Sequence, residues 1–182
     1  MNAARIDLMA SAVGKIGGVI WHHVFLVATD ASGAQAYLRA GPQCLPLERL
    51  AGRKTERGDP LEDYAPPPAG PYGVIAVASG AYEPGGVDFD PVAANTTLAS
   101  GPAAARLWNE LEKAASALAD GQIPYDPAGK GANWAIVETL RRCGVAAKLP
   151  PKRWVPGAGV LRADSPARTA PTRRIGQAVV VP

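Results

Sequence analysis

Between Gly121 and Val145 the chain reads GQIPYDPAGKGANWAIVETLRRCGV, a Pro- and Gly-rich loop that runs directly into a helix. The helix spans Asn133 to Arg142. Ala135, Ile136 and Leu140 fall on one stripe and Glu138, Arg141 and Arg142 elsewhere, the 3.6-residue pattern of a half-buried helix. Gly144 supplies its stop. A helix of this kind must lay its stripe on a second layer, so the rest of the chain has to provide one. The loop before it carries Gly129, Lys130 and Gly131, which lets another group approach the first helical amides closely. Those amides are unpaired and partly positive, an environment that lowers the pKa of a thiol and favours its nucleophilic thiolate. The position where such a nucleophile would stand is occupied by Ala132.

The second layer is written in the first half of the chain. Val19 to Thr29 is rich in Val, Ile, Phe, Trp and Leu and reads as a strand. Asp30-Ala31-Ser32-Gly33 is a turn, and Gln35 to Ala40 returns as the second strand of a hairpin. Two-residue alternation puts His23, Phe25 and Val27 on one face and His22, Val24 and Leu26 on the other. Tyr72 to Ser79 reads as a buried strand and Asn95 to Ala99 as one more short one. Residues 4–14 read as a short helix or a covering segment. Pro102 to Asp120 is another helix, with Ser100 or Gly101 as cap, Pro102 in its first turn, and Leu107, Leu111, Ala114, Ala115 and Leu118 as its stripe. Trp108 extends that stripe in a core role. Strands followed by helices predict an α+β domain, an antiparallel sheet packed against two helices.

Taken together, Tyr125, the turn, Ala132-Asn133, Ile136, Val137, Leu140-Arg141 and Gly144 resemble the permuted papain-like group. That group includes NlpC-type amidases of circularly permuted order and the lecithin retinol acyltransferase family. In these families a tyrosine and a turn precede a helix that begins with the catalytic cysteine, and the histidine comes earlier, on a strand, as in Trp21-His22-His23-Val24-Phe25-Leu26-Val27. The resemblance covers roughly residues 19–42 and 121–145. It implies a circularly permuted papain-like fold and a cysteine amidase or peptidase acting on an amide-containing substrate, a peptide or peptidoglycan. A thiolate at position 132 would attack the carbonyl, His23 would act as base and then acid, and backbone N–H groups near 131–133 would hold the oxyanion. His23 is chosen over His22 because the apolar run after it leads into the Asp-x-x-Gly turn. Gln35 is the chosen orienting residue for the imidazole. Tyr125, Asn133 and Trp154 are the expected substrate contacts, with Tyr125 assisting the oxyanion, lining the pocket, or simply packing.

The sequence departs from the family at its centre, since Ala132 stands where the cysteine belongs and the asparagine follows that position instead of preceding it. Either a cysteine has been replaced, or the chain is a natural relative that has lost the chemistry. Two further readings stand beside the amidase: a phospholipase or acyltransferase on the same scaffold, and a non-catalytic binding module in which Ala132 is native. An Ala-, Arg-, Gly- and Pro-rich composition suggests a high-GC bacterial source, where such domains serve as cell-wall amidases or secreted effector toxins with a neutralising partner protein.

Length and composition set the outer limits. A chain of 182 residues, 47% hydrophobic, forms one globular domain, placed at 1–161, with a flexible or partner-binding tail at 162–182. The net charge of +3 owes much to Arg162, Arg168, Arg173 and Arg174 of that tail, and 6% aromatic content offers little for base stacking, so nucleic acid is not an expected partner. Two cysteines are too few for a disulfide framework or a zinc site. Cys143 reads as a packed residue at the negative end of its helix, and Cys44 as a second candidate nucleophile with no helix behind it. Asp88-Phe89-Asp90-Pro91 lacks the spacing of a calcium loop. No cofactor or metal is expected. The polar excursion from Gln43 to Pro71 reads as a solvated lid or binding loop. No signal-peptide run opens the chain and no stretch suits a transmembrane span, so any export would use a leaderless route.

Overall fold

The computed structural model describes residues 1–16, 19–43, 72–83, 93–126, 129–146, 149, 155 and 157. Five strands and two helices follow in chain order: β1 (Ala3–Ile16), β2 (Val19–Asp30), β3 (Gln35–Pro42), β4 (Ile75–Ala81), β5 (Ala94–Ser100), α1 (Pro102–Asp120) and α2 (Ala132–Arg142). The strands form one antiparallel sheet in the order β4-β3-β2-β1-β5. The expected α+β class, with an antiparallel sheet and two helices, is the observed one. The Gln43–Pro71 excursion apart from Gln43, Cys44, the Asp88–Pro91 segment, Trp154 and the 162–182 tail lie outside the described residues.

One expectation is corrected at the start of the chain. Residues 3–16 are a strand, neither a short helix nor a covering segment, and it sits between β2 and β5. Its sequence alternates Ile6, Leu8 and Ala10 with Asp7, Met9 and Ser11, and pairing with strands on both sides outweighs the helical preference of its Ala, Leu and Met. The strand read at Tyr72–Ser79 begins later, at Ile75, and runs on to Ala81. Val74 instead bridges Pro124 of the α1–α2 connection.

The hairpin register is set by Asp30. Its carboxylate accepts from the Ser32 and Ala34 amides at 2.8 and 3.0 Å and from the Ser32 hydroxyl at 2.6 Å. Those bonds, the hydroxyl's first, hold the Asp30 pKa below its ordinary value. With the turn set, Leu26 pairs Leu38 and Thr29 pairs Gln35.

Both helices pack on one face of the sheet. Ile6, Leu8 and Ala10 of β1, Val24, Leu26 and Ala28 of β2, Leu38 and Ala40 of β3 and Ile75 of β4 meet Ala104, Trp108, Leu111, Ala115 and Leu118 of α1 and Ala135, Ile136 and Leu140 of α2. Each fully buried large aliphatic or aromatic side chain contributes about 1.5–3 kcal/mol through area removed from water. The other face is buried too, at Phe25, Val27 and Tyr37, and it carries polar groups: Asp7, Ser11 and His23. Asp7 accepts there from Arg5 Nε and Thr97 Oγ1, both at 2.7 Å.

Candidate active site at the start of α2

The sheet splits where α2 begins. The β2–β3 ladder runs from Thr29/Gln35 to Leu26/Leu38, after which β3 continues alongside β4 to Pro42. The backbone of β2 beyond Leu26 therefore needs another partner on that side. Asn133 provides it. Its Oδ1 accepts from the Val24 amide at 2.9 Å and its Nδ2 donates to the His22 carbonyl at 3.1 Å, so a side-chain amide reproduces the paired contacts of a neighbouring strand. Asn133 is buried, and its amide is committed to β2 on both edges. Expected as a substrate contact, it is instead the clamp that seats α2 against the sheet.

The clamp grips the two residues that flank His23, so the helix start and the histidine are neighbours through the backbone. The side chains divide as alternation requires. Val24 and Leu26 belong to the helix-packed core, and His22 shares their face, whereas His23 lies with Phe25 on the other face, its ring 6.1 Å from the Phe25 ring. His22, not His23, is thus the histidine on the helix side.

The residue expected to orient His23 is also corrected. Gln35 sits across from Thr29 and donates to its Oγ1 at 3.2 Å, six residues along β2 from His23, about 20 Å at strand rise. Arg39 is the residue that reaches the imidazole, with Nη2 3.4 Å from Nδ1. It belongs to the same face of β3 as Gln35 and Tyr37, four residues nearer His23, and only the turn geometry decides among the three.

Position 132 is the first residue of α2 and is half-buried. The helix is opened by Gly131, whose carbonyl accepts from the Ala135 amide at 3.0 Å, and no side chain caps it. Cys143 stands at the opposite end, where burial first and Glu110 second push its thiol pKa up. It is a half-buried thiol packed against the core.

The α1–α2 connection forms the outer wall. Ile123 accepts from the Ile75 amide at 2.8 Å and Tyr125 donates its amide to Gly73 at 2.9 Å, so residues 123–125 run beside the entrance of β4. The Tyr125 ring tilts against Tyr72, 6.0 Å between centroids, and packs at the core margin. The chain then turns tightly: the Gly129 amide donates to the Asp126 carbonyl at 3.1 Å and the Asp126 amide to the Lys130 carbonyl at 3.2 Å. A Cβ on Gly129 would stand 2.6 Å from Asp126 Oδ2, so glycine is what lets the carboxylate lie against the turn.

Outside this turn opens a cleft of ≈ 560 Å³ lined by Ile123, Pro124, Asp126, Gly129, Lys130 and Trp134, with Gly157. The half-buried Trp134 indole lies beneath the Lys130 ammonium, which is 5.7 Å from the ring centroid. Sequence reasoning missed Trp134 and Asp126. The available signal was spacing, because Lys130 and Trp134 are four apart across a helix start and so share a side. Among the described residues no group of His, Cys, Asp and Glu could hold a metal ion. No helix is long and apolar enough to cross a membrane among the same residues.

No protein-family model, curated protein or solved structure matches this chain.

Proposed function

We propose that the chain is a binding module for an amide-containing ligand, a peptide or peptidoglycan fragment, built on the layout of a permuted papain-like thiol hydrolase but lacking its hydrolytic step as the sequence stands. The placement of His23 carries this reading. A histidine that activates a thiol faces its nucleophile, whereas His23 lies with Phe25 on the face of β2 opposite the core that α2 packs against. The Arg39 guanidinium stands beside its ring there, Nη2 3.4 Å from Nδ1. Ala132 adds no nucleophile, and the cleft beside it supplies apolar, aromatic and charged walls. An ester-bearing lipid fits that cleft less well than an amide ligand, because Asp126 and Lys130 line it.

A hydrolase in its cysteine-bearing form is the second reading, favoured by the Asn133 clamp that brings residue 132 next to the residues flanking His23. One experiment separates the two. Ala132→Cys, alone and with His23→Ala, is treated with iodoacetamide near neutral pH and the labelled sites are mapped by mass spectrometry, Cys143 serving as the slow internal standard. The binding reading expects residue 132 to label no faster than an ordinary exposed thiol and to be indifferent to His23. Fast labelling at 132 that collapses with His23→Ala would return the chain to the thiol hydrolases.

A further inference from the structure

The cleft beside the α2 start has opposite charges on a short turn. Asp126 and Lys130 are joined through their backbones, the Asp126 amide donating to the Lys130 carbonyl at 3.2 Å. The Asp126 carboxylate lies against Gly129, and the Lys130 ammonium stands 5.7 Å from the Trp134 ring centroid. Between and beside them lie the apolar surfaces of Ile123, Pro124 and Trp134. A ligand that uses all of this must present a hydrogen-bond donor, a single negative charge a short distance away, and an apolar group attached to the same atoms.

The last residue of a peptide has that constitution. Its amide N–H and its terminal carboxylate are carried on one α-carbon, and its side chain leaves from the same carbon. A phosphorylated ligand has more charge than one lysine balances, and it would face the Asp126 carboxylate. A fatty acid offers the carboxylate and the apolar body without the N–H. Resting on the binding reading above, we infer that the cleft recognises the free C-terminal residue of a peptide, with Lys130 receiving the terminal carboxylate, Asp126 accepting the last amide N–H, and Trp134, Ile123 and Pro124 receiving an apolar side chain. Lys130 is exposed, so its charge contributes selectivity more than affinity.

The test is calorimetric titration of the full chain with N-acetyl-Ala-Leu as the free acid, the same dipeptide as its C-terminal amide, and decanoate. The acid is expected to bind about fivefold more tightly than the amide, the ratio an exposed ion pair supports, and the preference should shrink as salt is raised. Lys130→Met keeps the stem over Trp134 and removes the charge, so acid and amide should then bind alike. Decanoate should bind more weakly than the acid peptide. If acid and amide bind the unaltered chain equally, or the preference survives Lys130→Met, the C-terminal inference is wrong while the amide-ligand reading stands. Decanoate binding as tightly as the peptide acid overturns the role of Asp126. If neither peptide binds but indole shifts of Trp134 respond to larger peptidoglycan fragments, this inference falls alone; silence to every amide ligand defeats both.

Discussion

Asn133 carries two hydrogen bonds that no other side chain could make in the same place. Its amide is the only common side-chain group that offers an acceptor and a donor in the spacing of a peptide unit, glutamine having the same group on a longer stem. Asn133→Leu would leave the Val24 amide and the His22 carbonyl buried and unpaired, and should cost roughly 2–4 kcal/mol in urea unfolding. Asn133→Asp keeps the acceptor and turns the donor into a carboxylate oxygen facing the His22 carbonyl, so it too should destabilise, and more so at neutral pH than in acid. An Asn133→Asp variant as stable as the parent would show that the clamp does not bear on stability. Gly129→Ala acts differently. The added Cβ meets the end of a flexible side chain, so the fold should tolerate it, while the Asp126 carboxylate is pushed from its place. Thermal unfolding should change little and binding in the cleft should weaken several-fold. The asparagine was legible as part of a motif, but its partners, 109 and 111 residues away in sequence, were not.

At the scale of elements, α2 is stopped as its sequence says. The Val145 amide donates to Leu140 at 3.0 Å and the Gly144 amide to Arg141 at 3.1 Å, with Gly144 at φ +69°, the Schellman arrangement that glycine adopts most cheaply. On its exposed side Glu138 accepts from Arg141 at 2.7 Å and Arg142 at 3.1 Å. The Arg141 hydrogen bond, partly opposed by burial and helped by Arg142, holds the Glu138 carboxyl below its ordinary pKa of 4.5. A lowered folded-state value means that the stabilisation is complete above the unfolded-state value and is lost as pH falls through the folded one. Glu138→Gln should therefore be less stable than the parent at neutral pH, and the two should converge in acid, as pH falls through the folded-state value that lies below 4.5. A gap that persists in acid would assign the effect to packing. Trp108 tests α1. It is fully buried and its Nε1 has no partner among the described residues, so Trp108→Phe removes an unpaired donor as it loses area. It should cost well under the ~3–5 kcal/mol expected of Trp108→Ala. The two helices and the β2–β3 hairpin were readable because amphipathic spacing and turn chemistry are local. β1 was not, because its Ala, Leu and Met suit a helix, and only the strands on either side decide for the extended form.

Across the whole molecule, the sheet and helix layers were legible and the assembly of the site was only partly so. Residue 132 and the histidines were picked out by motif, and the Asn133 clamp brings that helix start to β2. Which histidine faces which way, and whether Gln35 or Arg39 meets His23, depend on a register that Asp30 sets from a distance of several residues. The cleft is less legible still, because the α1–α2 connection must first run beside β4 before Asp126, Lys130 and Trp134 come together. The amide of Asn133 also has a consequence for how the protein behaves in company. Strand backbone left without a neighbour is a template for another chain, and proteins keep such templates short, charged or covered. Asn133→Leu, beyond weakening the monomer, uncovers a bare stretch of β2 in a strand rich in β-branched and aromatic residues. Its light scattering should therefore climb with protein concentration at temperatures where the parent chain stays monodisperse.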